Sequence, residues 1–373
     1  MIKSLGGELK KLFIILSLLF SLSMATVTDI DGNVYETVVI GDQLWMAENL
    51  KVTHYKDGSE IFTGLSSGSD SEWATTVQGA YAVYNDTSSY AETYGNLYNW
   101  FAIDDERGVC PEGYHVPSDE EFQKLEMTLG MSPSEANSVG WRVSGDVGSK
   151  LASSTELWPP NAGITQNNYF DTSGFLAIPG GSKSTNELPS NNLSISAIFW
   201  TKTINPSGMP YHRELSFNNS TVSRYEKHPN YGFSVRCLET IEGCTHPNAT
   251  NYDETANVDD GSCEYETVQI GHQVWMSENL KATHYSNGDA IPTGLDNDAW
   301  ANTIEGAYAI YDDDPANVEV YGNLYNWYTA DDVRGICPEA YHTPSDDEFK
   351  QLEIYLGMSS QDADSWGVRG SNE

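Results

Sequence analysis

The chain has 373 residues, a formal net charge of −35 at pH 7 and 39% apolar residues. An acid excess of this size repels phosphate backbones and argues against nucleic-acid binding. The apolar share is that of a folded protein rather than of a disordered acidic tail, and the length allows more than one domain.

The first 25 residues carry Lys3, Lys10 and Lys11, an apolar run at 12–22, and a small-x-small site at Ser23, Met24 and Ala25. They read as a Sec-type signal peptide cleaved after Ala25. The run is too short to span a bilayer comfortably, and no cysteine marks a lipoprotein site. A secreted or cell-surface protein, not integral to the membrane, is expected.

Residues 29–33, Asp-Ile-Asp-Gly-Asn, signal a turn. The stretches 34–40 and 43–46 then read as a short hairpin rich in β-branched and aromatic residues. The clearest helix is expected over 119–129. Ser118 is its N-cap, Glu121 completes a capping box, Pro117 blocks extension upstream, and Phe122, Leu125 and Leu129 share a face before Gly130. From 140 to 230 the text is rich in Ser, Asn, Gly and Pro. It reads as long loops with brief strands at 174–178, 197–201 and, just beyond, 232–238.

Residues 240–266 are polar, acidic and bounded by cysteines, too few to build a core. After them the opening text returns. Residues 37–66 and 267–296 agree at 19 of 30 positions, and 94–131 and 321–358 at 26 of 38. The second copy repeats every helix signal, with Ser345, Glu348, Phe349, Leu352, Leu356 and Gly357. A period above 200 residues is far too long for a solenoid unit, so each copy is read as a domain with its own core. The organisation is then a signal peptide (1–25), a first domain (26–239), a linker module (240–266) and a second domain (267–373) running only as far as the counterpart of Asp146.

In an exported chain the five cysteines are expected in disulfides. Four of them pair in three ways; the favoured pairing is Cys110–Cys237, closing the first domain, and Cys244–Cys263, closing the linker. Cys337 is the repeat of Cys110, and its partner is expected in a part of the second domain beyond residue 373.

Few residues suggest chemistry. Gly64, Leu65, Ser66, Ser67 and Gly68 spell a nucleophile-elbow pattern, but they sit in a polar loop and the second copy has no serine there. The eight histidines form no pair with zinc-ligand spacing. His54 and His284 recur in the motif Thr-His-Tyr and are expected to be buried with one hydrogen bond, and Tyr98, Asn99 and Trp100 to anchor the core. Asp253, Asn257, Asp259 and Asp260, beside Gly261, offer hard oxygen ligands for calcium, although the spacing is not that of an EF-hand. Trp158, Tyr169, Tyr211 and Tyr225 are expected to be exposed on loops, where aromatic faces suit a sugar or a protein.

The motifs DIDGNVY, IGDQLWMAENLK, YGNLYNWFAIDD, CPEGYHVPSDEEFQKLE and GFSVRCL, in this order, resemble the Fibrobacter succinogenes major paralogous domain family. The resemblance covers 26–239 and, shortened, 267–373, and implies an exported bacterial domain without an established activity. YHVPSDEEF followed by GFSVRC is also similar to the C-type-lectin-like and sulfatase-modifying-factor folds. That likeness implies an α+β fold with small irregular antiparallel sheets, one or two helices, long loops and a terminal strand whose cysteine bridges back, a role that Cys110 and Cys237 fit. The redox cysteines of the sulfatase-modifying enzymes and the calcium motifs of sugar-binding lectins have no counterpart here. The linker is similar to acidic, Cys-bounded repeats between modules of large surface proteins. Together these features point to a non-enzymatic surface or secreted binding module with a polysaccharide or surface-protein partner. The alternative is a polysaccharide-active enzyme or subunit using loop carboxylates as acid and base.

Overall fold

The computed structural model describes residues 25–68, 71–185, 192–205, 207–246, 249–286 and 289–369. The expected signal peptide lies outside them except for Ala25.

The opening of the first copy folds as its pattern dictates. Asp29 organises the turn: its carboxylate accepts the backbone N–H groups of Asp31 (3.0 Å) and Asn33 (2.9 Å) and the Tyr35 hydroxyl (2.6 Å). Val34–Ile40 and Gln43–Met46 pair as an antiparallel hairpin, with Ile40 opposite Gln43. Gly41 turns the chain with φ 67°, a conformation glycine adopts without a Cβ penalty. This hairpin belongs to a five-stranded sheet in the order Thr26–Thr28, Val34–Ile40, Gln43–Met46, Leu238–Glu239, Tyr114–His115, antiparallel throughout. The last strand of the copy therefore lies between its first hairpin and its middle. The Cys110–Cys237 disulfide, with Cα atoms 5.9 Å apart, fixes that closure.

The helix spans Asp119–Thr128 with both halves of the capping box formed between Ser118 and Glu121. Phe122 and Leu125 are buried, and Trp45 of the hairpin packs on Phe122 with centroids 5.1 Å apart. Residues 140–230 are more regular than their composition implies. They hold a four-stranded antiparallel sheet in the order Gly140–Arg142, Val222–Glu226, Pro210–Ser216, Ser196–Ile204. Residues 174–178 make no strand, only a single bridge between Ala152 and Ala177.

The strand Ser196–Ile204 separates two cores. Ile198 and Trp200 point into one with Tyr98, Trp100 and Phe233. Ala197 and Phe199 point into the other with Trp45, Phe122, Leu125 and Phe175. Successive side chains of a strand face opposite ways, so a strand buried on both faces reads as a continuous apolar run.

The linker is closed by Cys244–Cys263 and by a short parallel pair, Glu242–Gly243 with Val258–Asp259. The second copy rebuilds the same opening parts: a hairpin Thr267–Ile270 and Gln273–Met276 in the same register, and a capped helix Asp346–Tyr355. Cys337 is a free thiol. Among the described residues no helix is long and apolar enough to cross a membrane.

Candidate functional site

The aromatic residues expected on loops have different surroundings. Trp158 is buried and donates its indole N–H to the Ser153 carbonyl at 3.0 Å, so it anchors its loop. Tyr169 is exposed, with the Lys150 ammonium 5.1 Å from its ring centroid. Tyr211 and Tyr225 lie on strands, not loops, and on opposite faces of the four-stranded sheet. Tyr211 is covered by the Arg224 guanidinium at 4.2 Å, whereas Tyr225 looks outward. The four therefore share no single exposed face, and Trp158 is a loop anchor.

A different surface does form. The pairing register sets Trp141 opposite Ser223, Ser223 opposite Glu214, and Glu214 opposite Ile198. The next row runs from Tyr225 to His212 to Trp200. Cross-strand partners share a face. This face is core at Ile198 and Trp200 and solvent at the Gly140–Arg142 edge, where Trp141 is 44% exposed and Tyr225 39%. Val139 and Val143, flanking Trp141 at alternate positions, are more exposed still. Between the rings and the core sit two buried polar atoms without a hydrogen-bond partner, Ser223 Oγ and His212 Nδ1. Burial holds the His212 imidazole neutral, pushing its pKa down to about 3. Trp141 went unremarked in the sequence because Gly140-Trp141-Arg142 carries no strand pattern by itself.

The opposite face is an ionic core. Arg142 forks onto both Glu126 oxygens at 2.6 Å, Arg213 bridges Glu126 (2.8 Å) and Asp119 (2.6 Å), and Arg224 reaches Asp119 at 2.7 Å. All five side chains are buried. Burial alone would raise the Asp119 carboxyl, but the Arg213 and Arg224 guanidinium groups outweigh it and hold it well below the usual carboxylate range. These carboxylates are satisfied by fixed cations and face the protein interior, so they are not poised as an acid and base.

The remaining candidates resolve locally. His54 is half-exposed, not buried; its Nδ1 lies 2.6 Å from Asp31 Oδ1 and 3.1 Å from Thr53 Oγ1. Ser66 is tied to the short helix Glu72–Thr75, its hydroxyl accepting the Glu72 N–H. In the linker, Asp253 accepts from Thr255, Asp259 from Gly261 and Asp260 from Ser262, while the Asn257 amide bridges Ile241 and Glu239. Each side chain is thus engaged with its own turn or strand. Among the described residues no three His, Cys, Asp or Glu side chains group so as to hold a metal ion.

The fold defines a class: two copies of a module with mixed helices and small antiparallel sheets, the first closed by a disulfide. The family model for the Fibrobacter succinogenes major domain matches residues 38–239 and again 268–373. The chain belongs to that family, with one copy matched through its closing strand and a second over its opening half. No curated protein and no solved structure matches the chain.

Proposed function

We propose that this protein is an exported, non-enzymatic binding module of a bacterial surface or secreted assembly, built on a lectin-like variant of the α+β plan. The observation that carries the reading is the solvent-facing pair Trp141 and Tyr225 on a rigid sheet. Rigid aromatic faces offer apolar contact at low entropic cost, and strands hold them more firmly than loops. The two disulfides fit the oxidising compartment that the leader implies. The antiparallel sheets, the capped helix and the closing strand beside the opening hairpin support the lectin-like plan. The buried carboxylates Asp119 and Glu126 are neutralised by arginines, which argues against a general acid and base at that place.

The test uses the purified full chain with its disulfides intact, applied to immobilised polysaccharides and to bacterial surface proteins, with reducing-sugar release followed in parallel. Saturable retention without cleavage is expected. Release of reducing ends from any polysaccharide would make the protein a hydrolase instead.

A further inference from the structure

The closing half of the first copy, residues 147–239, seats on its opening half through backbone edges and apolar side chains. Trp200 donates its indole N–H to the Tyr98 carbonyl at 2.8 Å, and Tyr98 and Phe233 exchange backbone hydrogen bonds of 2.9 and 3.0 Å. The Met46 N–H meets the Cys237 carbonyl at 2.9 Å, and the Leu50 N–H meets the Val235 carbonyl at 3.0 Å. Tyr94, Leu97 and Tyr98 are buried beneath it.

The second copy has the same seat, already built. The Asn323 amide donates to the carbonyls of Lys281 and Ala282 at 2.9 and 3.3 Å, as Asn96 does to Lys51 and Val52 at 2.7 and 3.3 Å. The Tyr325 hydroxyl donates to the Ala282 carbonyl at 2.7 Å, as Tyr98 does to Val52 at 2.7 Å. What differs is the cover. Among the described residues, Tyr325 pairs only with Tyr308, and Gln273–Met276 only with Thr267–Ile270. Tyr321 and Leu324, the counterparts of Tyr94 and Leu97, are 52% and 48% exposed. A strand edge left unpaired beside an apolar face is a template for strand addition, and a seat formed in advance lowers the ordering cost of filling it.

Charge and thiol chemistry narrow the occupant. In the first copy Asp119 and Glu126 receive Arg213 and Arg224 from the closing half. The second copy keeps both carboxylates, as Asp346 and Glu353. Arg369 holds Glu353 at 2.8 Å, as Arg142 holds Glu126, but Asp346 meets only Lys350. Residues 267–369 carry eighteen acidic and four basic residues, whereas 196–238 carry five basic and two acidic. Opposite charge of this kind selects partner and register. Cys337 is a free thiol where Cys110 bonds Cys237.

We infer that residues 267–369 form an acceptor site for one kind of partner: a second polypeptide carrying the closing half of this same type of domain. It enters by strand addition at Gln273–Met276 and Tyr325, directs its arginines at Asp346 and Glu353, and brings a cysteine to Cys337.

The experiment mixes the full chain with a separately made, isotopically labelled polypeptide of residues 147–239, its cysteine reduced. Amide exchange of the chain measures binding, and peptide mapping after addition of oxidised glutathione reads the contact. In that trap Cys337 and the labelled Cys237 each give a proton and an electron to the glutathione disulfide, which leaves as two thiols. Slowed exchange at 273–280 and 321–325 and a disulfide from Cys337 to the labelled Cys237 are expected. Arg213→Ala with Arg224→Ala in the probe, and separately Asp346→Asn in the chain, should each weaken binding by about tenfold or more. Cys337→Ser should keep the protection and lose the disulfide. Equal binding of a polypeptide with the same composition in scrambled order would make the face merely adhesive and overturn the inference. Binding indifferent to the arginine and aspartate variants would overturn it too. A Cys337–Cys337 dimer showing the same protection without the probe would make a second copy of the chain the occupant instead.

Discussion

In the first copy Trp100 is 9% exposed and donates its indole N–H to the Thr201 carbonyl at 3.1 Å; its counterpart Trp327 is 71% exposed. Phe122 is 2% exposed in the first copy and its counterpart Phe349 is 45% exposed. The local geometry around these residues is nonetheless the same in both copies. Trp45 meets Phe122 at 5.1 Å, and Trp275 meets Phe349 at 5.3 Å. Gln43 donates to the Glu121 carbonyl at 3.1 Å, and Gln273 to the Glu348 carbonyl at 3.0 Å. Arg107 stacks on Tyr55 at 3.9 Å, and Arg334 on Tyr285 at 3.7 Å. The hairpin, the capped helix and the Arg–Tyr stack are thus specified locally, whereas burial in the first copy is supplied by residues 147–238, farther along the chain. Local specification shapes elements; tertiary burial stabilises them.

The comparison is most open to breakage in isolated pieces. Residues 26–239 are expected to unfold in one cooperative transition, and residues 267–373 to give none, binding a hydrophobic dye because their apolar faces are open. Calorimetry of both fragments checks this, and a sharp transition from 267–373 would mean that the opening half has a sufficient core of its own.

The ionic core gives the next largest contrast. Arg213→Ala leaves the buried Asp119 and Glu126 short of a cation and is expected to cost about 3–5 kcal/mol. Asp346, the counterpart of Asp119, meets only Lys350 at the surface, so Asp346→Ala is expected to leave stability unchanged. Hydrogen exchange resolved by peptide, in the full chain, separates the two copies; equal responses would refute the contrast.

Acid sharpens it further. His212, for which no counterpart exists before residue 373, has a folded pKa of about 3 against an ordinary value near 6.5. A depressed folded pKa means that the unfolded state binds the proton more readily. Stability is therefore full above about pH 6.5 and falls as pH drops towards 3, by at most about 1.4 kcal/mol per pH unit from this group. Asp119, also depressed, adds a second loss that begins near pH 4. Denaturant midpoints of residues 26–239 should follow this profile. His212→Phe, placed between Trp200 and Phe233, should remove the part between 6.5 and 4 and keep the steeper fall below. An unchanged profile in that variant would assign the loss to other groups.

The smallest expected effect is one on which the copies should agree. Ser118→Ala and Ser345→Ala each remove a capping-box hydroxyl from a ten-residue helix and should each destabilise that helix by about 1 kcal/mol. Exchange rates in the first turn of each helix report it. A much larger loss at Ser118 would show that the first cap is doing tertiary work as well.

What could be read from the amino-acid order follows the same division. The hairpin, the helix and its cap, and both disulfides were legible because turn residues, capping pairs and repeat positions are short-range signals. The four-stranded sheet was not. Its strands Pro210–Ser216 and Val222–Glu226 carry Arg213 and Arg224 where an apolar residue would mark the inward face, and the carboxylates that make this tolerable sit on a helix some ninety residues earlier. A binary pattern cannot register a charge that is neutralised at such a distance. Trp158 failed for the related reason that a loop's composition does not reveal which of its aromatics turns inward.

The position of Leu238–Glu239 between Gln43–Met46 and Tyr114–His115 has a consequence for the order of events during synthesis. Arg236, just before it, is buried and hydrogen-bonds Asn49, Met46, Phe175 and Leu176, two well-separated stretches of chain. None of these contacts can form until nearly the whole copy has emerged, and long-range closure of this kind slows folding. A chain made from its N-terminus would pass through an interval in which hairpin and capped helix are present with their apolar sides unprotected, much as they stand in the second copy. Chaperone capture is therefore expected to be strongest for nascent chains that end before residue 236, and to drop once that arginine and its neighbouring cysteine are delivered.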